Sequence, residues 1–565
     1  MTRANSLLAD DDCYLALKAR DARFDGRFFT GVSSTGIYCR PVCSVKTPRR
    51  ENCRFFRHAA QAEHAGFRPC LRCRPELAPH SVAWSVQDAS FILAHQAARL
   101  LDEPEDQAPA RVASRMAPPL GKAGLAWGGP ALRPSGSAPA RQDPAIAKLA
   151  ARLGVSDRHV RRIFEAQFGV SPLQYLQTRR LLTAKQLLAD TDLPITQVAL
   201  ISGFASVRRF NAAFVAHYKL NPTQQRRHGP RPAGGGITVR LGYRPPYDVA
   251  AMLGFFATHA INGIEFVAID ARQPCTGSTF RVESGGREHA GWLLAGFDET
   301  RCQLVLRVSD SLCEVLPLVI RRVRAMFDLD ADPAAINSVL QASFPNTGGQ
   351  RVPGALDGYE LAVRAVLGQQ VTVAAARTLA QRLVEKFGEP IETPWPQLSR
   401  LFPAPAVLAA ASSDALGQLG IVRQRQAAIT GIARAVAEKR LQLHGGADIN
   451  ATIALLKALP GIGDWTAQYI AMRALRWPDA FPAADVALHK ALKLQGLKNP
   501  AKQAEQASLA WKPWRSYAVI RAWSGLAQAS RLTPELIAAD AGIAWTSASK
   551  DSKSAAKGQR RQPLG

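Results

Sequence analysis

The stretch that decides the fold is LKALPGIGDWTAQYIAMRAL, residues 456–475. Apolar residues recur at helical spacing on both sides of LPGIG, so the pattern predicts two helices with a very short connection. Gly461 and Gly463 lack a Cβ and therefore permit a tight hairpin. The second helix then aims its N-terminal amides at an anion such as a DNA phosphate. We expect Gly461, Gly463 and Thr466 to contact DNA.

A hairpin of this kind is by itself a non-specific grip on DNA, found in ligases, polymerases and nucleases. The string that follows narrows the choice, because RWPDAFPAADVALHKAL at 476–492 adds a carboxylate near a proline-rich loop. Three further strings are GYRPPYDVAAMLGFFA at 242–257, GYELAVRAVLGQQVTVAAART at 358–378 and WKPWRSYAVIRAW at 511–523. Together they resemble the helix-hairpin-helix glycosylase superfamily, and specifically the AlkA-type 3-methyladenine DNA glycosylases. The resemblance covers essentially the whole region from residue 237 to about residue 545.

This resemblance implies that Asp485, the aspartate after the hairpin, is the catalytic residue. A carboxylate beside C1′ stabilises the oxocarbenium character that develops as a purine–sugar bond breaks, and it can orient the attacking water. Asp464 and Asp479 are nearby alternatives. Trp465 stands where bifunctional members carry a Schiff-base lysine, so we expect a cofactor-free DNA-3-methyladenine glycosylase II without lyase activity. No cysteine follows Cys313, which argues against an iron–sulfur cluster.

The aromatic residues of this region are candidates for the base pocket. Alkylated purines are cationic, and aromatic rings attract them by stacking and cation–π interaction. Trp465, Tyr469 and Trp514 fit this role, although each also fits an ordinary place in the core. Gln370 stands where the family can place a leucine wedge in the gap left by a flipped base. Val486 follows the aspartate where an aromatic residue can occur.

The cysteines are concentrated at the N-terminus, with six of the nine before residue 74. Cys39-x3-Cys43 and Cys70-x2-Cys73 form two close pairs, and zinc prefers four tetrahedral ligands of this kind. The sequence therefore predicts one Zn²⁺ held by Cys39, Cys43, Cys70 and Cys73. Spacing alone favours a plain structural zinc ribbon, in which the metal only holds a small domain together.

The residues around these pairs add a second resemblance. RDARFDGRFFTGVSSTGIYCRPVC at 20–43 and GFRPCLRCRPE at 66–76 resemble the N-terminal domain of the Ada-type adaptive-response proteins. The resemblance implies that Cys39 takes a methyl group from a DNA phosphotriester, once per molecule, while Cys13 and Cys53 stay unligated. Candidate phosphate contacts, or simply solvated charges, are Arg40, Lys46, Arg68 and Arg72. A PCHR-type acceptor motif is absent from the sequence, so repair of O6-methylguanine is not expected.

A helical segment lies between these two regions. AIAKLAARLGVSDRHVRRIFEAQF at 145–168 and ITQVALISGFASVRRFNAAFVAHYKLNP at 195–222 each read as helix, glycine turn and serine-capped helix. With the helix between them, they resemble the DNA-binding domain of AraC-type regulators. The residues placed on the two recognition helices are Arg158, His159, Arg161, Arg162, Arg208, Arg209 and Asn211. Arginine suits guanine and asparagine suits adenine, the alternative being contact with phosphate or solvent alone.

The whole chain of 565 residues is too long for one core. We expect a multidomain α+β protein: a small zinc-bound α/β domain, an all-α double helix-turn-helix domain, and a mixed β-sheet subdomain before an all-α glycosylase domain. The predicted divisions are a zinc domain (1–104), a flexible Ala/Pro/Gly linker (105–142), the helix-turn-helix domain (143–228), the sheet subdomain (237–325), the glycosylase domain (326–545) and a disordered basic tail (546–565). The linker separates the zinc domain from the helices that it would have to control.

The net charge of +26 favours a polyanionic partner, because each cation placed near a phosphate releases condensed counterions. Ribosomal and membrane-surface proteins share this charge signature. We expect double-stranded DNA, both alkylated and promoter DNA, with RNA polymerase as a further partner. No apolar run is long enough to span a membrane, so we expect a monomeric, cytoplasmic, nucleoid-associated bacterial protein. The function indicated is alkylation repair and response. The alternative is a methylation-sensing transcriptional activator whose glycosylase region only binds DNA.

Overall fold

The structure is a computed structural model that describes residues 9–80, 89–102, 144–226, 235–269 and 274–530. The predicted linker and the predicted basic tail lie outside the described residues. Among the helices in the described ranges, none is long and apolar enough to cross a membrane. The predicted fold class is confirmed, since a small α/β module, a helical module, a sheet subdomain and a helical domain follow one another.

The N-terminal module is built on a four-stranded sheet. Its elements are α1 (Asp10–Ala19), β1 (Phe29–Val32), β2 (Ile37–Cys39), β3 (Cys53–Phe56), α2 (Ala59–His64) and β4 (Arg68–Pro69). The strand order is β3-β1-β2-β4, with β1 antiparallel to both of its neighbours and β2 parallel to β4. In this register Thr30 lies opposite Cys39. The sheet thus fixes the first cysteine at the end of β2.

The helical module contains two helix-turn-helix units. Its helices are α3 (Ala89–Asp102), α4 (Pro144–Leu153), α5 (Asp157–Phe168), α6 (Pro172–Asp190), α7 (Ile195–Ile201), α8 (Val207–Tyr218) and α9 (Pro222–Gln225). Helix α3 falls within the predicted zinc domain (1–104) but packs with α4 and α5 in one buried cluster, so it is described with this module. Gly154 and Gly203 have positive φ in the two turns. The hydroxyls of Ser156 and Ser206 accept hydrogen bonds from amides in the first turns of α5 and α8. The predicted turn and cap positions are confirmed.

The sheet subdomain follows. It comprises β5 (Ile237–Gly242), α10 (Val249–His259), β6 (Glu265–Ala268), β7 (Cys275–Ser284), β8 (Arg287–Asp298), β9 (Gln303–Val308) and α11 (Leu316–Met326). Its five strands run antiparallel in the order β5-β9-β8-β7-β6. Residues Leu293, Leu304 and Leu306 of this sheet are fully buried in a core that includes α10 and α11.

Helices form the last domain around a second core. They are α12 (Pro333–Leu340), α13 (Gly358–Leu367), α14 (Val373–Phe387), α15 (Pro405–Ala410), α16 (Ser413–Gly417), α17 (Arg423–Ala437), α18 (Ile449–Ala458), α19 (Asp464–Arg473), α20 (Val486–Ala491), α21 (Pro500–Ser508) and α22 (Arg515–Ser530). Helices α18 and α19 are the predicted hairpin pair. Helix α20 begins directly after Asp485, and α13 and α17 pack on the hairpin side of the same core.

The second helix-turn-helix unit is packed on the sheet subdomain. Leu187 of α6 and Phe214 of α8 belong to the same buried cluster as Val239 of β5 and Leu306 of β9. Burial of these side chains removes apolar area from water on both sides of the contact. The two modules therefore share one hydrophobic core.

The N-terminal module contacts both of its neighbours, although the 105–142 segment separates it from α4 in sequence. Arg244, which follows β5, is 1% exposed. Its guanidinium donates hydrogen bonds to the backbone carbonyls of Asp25, Pro79, His80, Asp330 and Ala331. A buried cation is costly unless it is hydrogen-bonded, and these five acceptors satisfy it. Arg244 thereby joins the N-terminal module to the sheet subdomain.

Helix α6 provides the other contact. Lys185 of α6 is 1% exposed and its ammonium donates to the Glu76 carboxylate and to the carbonyl of Cys70, at 3.4 Å for the latter. Thr178 of α6 donates to Glu63 Oε2 at 2.9 Å. Helix α6 of the helix-turn-helix module thus contacts the segment that carries Cys70 directly.

Candidate active site and metal centre

The Asp485 carboxylate is held by three donors. Asp485 is the N-cap of α20, and its Oδ1 accepts the amide of Leu488 at 2.6 Å. The indole Nε1 of Trp465 donates to Oδ2 at 2.8 Å, and the indole Nε1 of Trp523 donates to Oδ1 at 3.0 Å. Asp485 is 8% exposed. Helices α19, α20 and α22 therefore fix the orientation of one carboxylate.

Aromatic rings lie beside this carboxylate. Trp465 and Tyr469, one turn apart on α19, stack with centroids 5.3 Å apart and an interplanar angle of 15°. The ring of Trp523 lies 6.4 Å from that of Tyr469. Arg473 donates to the Tyr469 hydroxyl at 2.5 Å and so fixes that ring. The rings of Trp465, Tyr469 and Trp523 thus lie next to one another and next to the Asp485 carboxylate.

Trp523 was not among the residues predicted from the sequence, and Trp514 is placed elsewhere. Trp514 precedes α22, packs edge-on against Tyr517 and lines a different cleft, together with Arg476. The reason is that α22 starts after Trp514, so only Trp523 lies on the helix that reaches α20. No local pattern separates the two tryptophans, because the choice depends on the pairing of α20 with α22.

The other two aspartates have different surroundings. Asp464 is exposed in the first turn of α19 and forms an ion pair with Lys457 at 3.0 Å. Asp479 receives two hydrogen bonds from the Arg515 guanidinium, at 2.7 and 3.0 Å. Neither carboxylate shares the indole contacts of Asp485.

The hairpin has the predicted shape. Gly461 has φ +81°, and a Cβ there would lie 3.1 Å from the Gln424 carbonyl oxygen. Gly463, the N-cap of α19, has an ordinary φ of −89°, and nothing lies within 4 Å of the place of its missing Cβ. Gly461 is therefore needed by the fold, whereas Gly463 opens onto the surface where the first amides of α19 are exposed.

The side chain of Thr466 corrects one expectation. Thr466 is 2% exposed, and its hydroxyl accepts a hydrogen bond from Gln369 Nε2 at 2.9 Å. The same amide group donates to the Gly461 carbonyl at 2.9 Å. Thr466 can thus face DNA only through its backbone amide, because its hydroxyl is used to hold the loop between α13 and α14.

Gln370 lies at the tip of that loop. It is exposed and has φ +53°, in the left-handed region. Gln369 anchors the loop to the hairpin, and Arg425 donates to the Gln369 carbonyl. Val371 is also exposed at 37%. The loop therefore projects Gln370 on the same side as the hairpin, and Val486 lies 73% exposed at the start of α20.

The four predicted cysteines come together in the N-terminal module. The sulfur atoms of Cys39, Cys43, Cys70 and Cys73 all lie within 4.8 Å of one another, and Cys43 Sγ is 4.0 Å from Cys70 Sγ. Tetrahedral zinc with Zn–S bonds near 2.3 Å requires sulfur atoms about 3.8 Å apart. The donor set fits one zinc ion. Cys13 and Cys53 lie in α1 and β3, outside this group.

The cations near these cysteines have two different roles. Arg40 is 7% exposed and forms a buried ion pair with Asp25, and its Nη1 donates to the Cys73 carbonyl at 2.9 Å. The predicted contact of Arg40 with phosphate is therefore wrong, because its guanidinium is already bound to Asp25 and to the Cys73 carbonyl inside the module. Lys46 and Arg72 are exposed, as a phosphate contact requires, and Arg68 is half-buried.

The predicted recognition residues lie on α5 and α8. Arg158 and Arg162 of α5 are exposed, as are Arg208, Arg209 and Asn211 of α8. His159 and Arg161 are half-buried, and His159 Nδ1 lies 3.2 Å from an Arg162 nitrogen. The opposite faces of both helices carry buried aromatic residues, including Phe164 and Phe214. Each helix thus presents a basic face to solvent.

Known protein families match successive parts of the chain. The matching models are the metal binding domain of Ada (residues 12–76), a helix-turn-helix domain (149–228), the AlkA N-terminal domain (238–357) and the HhH-GPD superfamily base excision DNA repair protein (363–516). Their order is that of the modules described above.

A relative from Mycobacterium tuberculosis (strain H37Rv), named "Probable bifunctional transcriptional activator/DNA repair enzyme AlkA", matches nearly the whole chain. It is 34% identical over 526 residues, which are 91% of this chain and 96% of that protein. The chain belongs to this AlkA family. "DNA-3-methyladenine glycosylase 2" of Escherichia coli K12 is 34% identical over 50% of this chain and 95% of its own length. "Regulatory protein ada" of Salmonella typhimurium is 33% identical over 35% of this chain and 44% of its own length.

The predicted function is confirmed at this level. This AlkA family member combines an Ada-type zinc domain, a helix-turn-helix activator domain and a 3-methyladenine DNA glycosylase. DNA is its partner. The zinc site is the four-cysteine group.

Proposed function

We propose that Asp485 is the catalytic residue of a monofunctional glycosylase that hydrolyses the N-glycosidic bond of alkylated purines, the reaction of DNA-3-methyladenine glycosylase II. The observation that carries the proposal is the pair of indole N–H donors that hold the Asp485 carboxylate. An oriented carboxylate stabilises positive charge at C1′ as the bond breaks and accepts a proton from the attacking water. The water adds to C1′, and the purine leaves with the bonding electron pair.

The aromatic cluster supports the substrate class. A cationic purine that has been rotated out of the duplex can stack on Trp465, Tyr469 or Trp523, which gain from its positive charge. Gln370 enters the gap that the flipped nucleotide leaves, since it lies at the exposed tip of its loop. At the N-terminus of α19, a phosphate of the DNA backbone is bound by Gly461, Gly463 and the amide of Thr466.

Strand integrity distinguishes this proposal from a bifunctional enzyme. The purified chain is incubated with methylated duplex DNA, and free 3-methyladenine is measured by chromatography. We expect the base to be released while the strand remains intact until the abasic site is cleaved by alkali. Strand cleavage without alkali would contradict the monofunctional assignment, because Trp465 cannot form a Schiff base.

The zinc domain carries a second proposed activity, a stoichiometric methyl transfer. A zinc ion held by Cys39, Cys43, Cys70 and Cys73 would keep their sulfur atoms deprotonated and therefore nucleophilic. The Cys39 sulfur attacks the methyl carbon of a phosphotriester, the carbon–oxygen bond breaks, and the phosphodiester anion leaves. The resulting thioether removes one negative charge from the cysteine group, which reduces repulsion of the DNA backbone. Exposed Lys46 and Arg72 hold the phosphate.

The helix-turn-helix contacts are also a proposal. The exposed residues of α5 and α8 lie on promoter DNA, and RNA polymerase is recruited by a monomer bound there. Transfer of labelled methyl from phosphotriester DNA to the protein tests the acceptor. We expect about one label per chain in the natural protein and none in Cys39→Ser. Equal labelling of Cys39→Ser would refute the role of Cys39.

A further inference from the structure

A small cleft lies beside Cys39. It has a volume of about 20 Å³, and its walls are formed by Leu17, Thr30, Val32, Cys39, Cys43, Val45, Thr47 and Pro48. A space of this size holds one water molecule or one group of similar size. Val45 lines the cleft and is followed in the chain by Lys46, which is exposed. The cleft therefore lies close to an exposed cation.

Thr30 lines this cleft and carries a buried hydroxyl. The side chain is fully buried, and its Oγ1 has no hydrogen-bond partner among the described residues. Directly opposed residues of antiparallel strands have Cβ atoms about 5 Å apart on one face, and Thr30 is paired with Cys39 in this way. Buried hydroxyls are normally hydrogen-bonded, so the unpartnered Thr30 hydroxyl is an exception in this core. What bears on the alkyl group is the position of the Thr30 side chain, directly across the strand pair from Cys39 and beside the cleft.

We infer that this cleft receives the alkyl group that Cys39 acquires, and that Thr30 restricts the group to methyl. The inference rests on the methyl transfer proposed above. In that step an S–C bond forms at Cys39 and the C–O bond of the triester breaks, with the phosphodiester as the leaving anion. The S-methyl group then occupies the cleft against Val32 and Val45 and displaces any water there into solvent.

An ethyl group does not fit the same space. It adds one methylene, and overpacking of an enclosed apolar site is destabilising. One methylene in such a pocket typically changes specificity about 10- to 200-fold. The chain is thus selective for methyl over ethyl phosphotriesters, and Thr30 sets this selectivity because it forms the wall opposite the sulfur.

The full-length zinc-loaded protein is tested on duplexes that carry one methyl or one ethyl phosphotriester. Alkylated protein is followed by intact mass, which separates the two adducts. Thr30→Ala and Thr30→Ser both enlarge the cleft, and Thr30→Ser keeps the hydroxyl in case the alanine variant folds poorly. Thr30→Ile fills the cleft. Thr35→Ala, on the exposed turn of the same hairpin, is the matched control. Bound zinc is measured for every variant.

We expect the ethyl-to-methyl rate ratio to rise about tenfold or more in Thr30→Ala and Thr30→Ser. Thr30→Ile slows both transfers while it retains zinc, and Thr35→Ala matches the natural protein. An unchanged ratio in both enlarged variants, with normal methyl transfer, would overturn the inference and leave the methyl transfer intact. No methyl transfer by the natural protein would overturn both.

Discussion

Asp485 and Trp523 lie on different helices, and the indole Nε1 of Trp523 donates a hydrogen bond to Asp485 Oδ1 over 3.0 Å. This contact joins α22 to the N-cap of α20. Together with the Trp465 indole on Oδ2, it leaves the carboxylate little freedom to rotate. The orientation of the proposed catalytic group thus depends on residues 20 and 38 positions away in the sequence.

Trp523→Phe removes this hydrogen bond but keeps an aromatic ring. A hydrogen bond to a charged group contributes about 1.5–3 kcal/mol, so we expect the single-turnover rate of base release to fall about 10- to 100-fold. Trp514→Phe is the matched control and should change the rate less than about twofold, because Trp514 lines a different cleft. A larger effect of Trp514→Phe than of Trp523→Phe would reverse the assignment of the pocket.

The two hairpin glycines should respond differently to alanine. Gly461→Ala places a Cβ at positive φ and close to Gln424, so the midpoint of thermal unfolding should fall, with a cost of about 1–2 kcal/mol. Gly463→Ala should leave that midpoint unchanged, since its Cβ meets open space. It should weaken DNA binding about tenfold in fluorescence anisotropy, because the methyl group faces the phosphate. Equal behaviour of the two variants would contradict the proposed phosphate contact.

Glu63 makes the contact between the N-terminal module and α6 dependent on pH. Burial raises the pKa of Glu63 from 4.5 to about 7, although Tyr38 and Thr178 donate hydrogen bonds to it. The folded protein therefore binds this proton more tightly than the unfolded chain. As a result, the contribution of Glu63 to stability is lost as the pH rises from about 4.5 to about 7.

Glu63→Gln keeps the size of the side chain and removes the titration. We expect the unfolding midpoint of the natural protein, relative to that of the variant, to fall between pH 5 and pH 7.5. Comparison with the variant is needed because His217 lies 3.4 Å from Glu63, and burial lowers the pKa of His217, which has the opposite effect. A constant difference between the two proteins across this range would show that Glu63 does not titrate there.

Arg244→Met should uncouple the N-terminal module from the sheet subdomain. The substitution leaves several buried carbonyls without a donor, at a cost of about 3 kcal/mol or more. Zinc release and tryptophan fluorescence, recorded during one thermal ramp, should coincide in the natural protein. In Arg244→Met zinc release should come first. Arg287→Met, on an exposed position of β8, is the control. Coincident transitions in Arg244→Met would show that Arg244 does not couple the two modules.

Features that depend on the residue pattern of short segments could be predicted from the sequence. The hairpin at Gly461 and Gly463, the serine caps of α5 and α8 and the convergence of four cysteines all follow from spacing and backbone chemistry. The family resemblance singled out Asp485, and the structure supplies the indole contacts that hold it.

Features set by distant packing could not be predicted in the same way. Trp514 and Trp523 are equivalent in the linear pattern, and only the pairing of α20 with α22 separates them. Arg40 directly follows Cys39, and the sequence alone suggests that it is exposed. In the fold its guanidinium is buried in an ion pair with Asp25. Arg244 is likewise one of many arginines until its five carbonyl acceptors come together from three parts of the chain.

Release of 3-methyladenine by Asp485→Asn tests the central claim most directly. Asparagine is a good N-cap, so α20 should persist while the negative charge is lost. Asp448→Asn, which alters an exposed N-cap aspartate at the start of α18, controls for the change of cap. We expect a fall of at least about 100-fold in the single-turnover rate for Asp485→Asn, with unchanged DNA binding, and a normal rate for Asp448→Asn. Release by Asp485→Asn at the rate of the natural protein would contradict that claim.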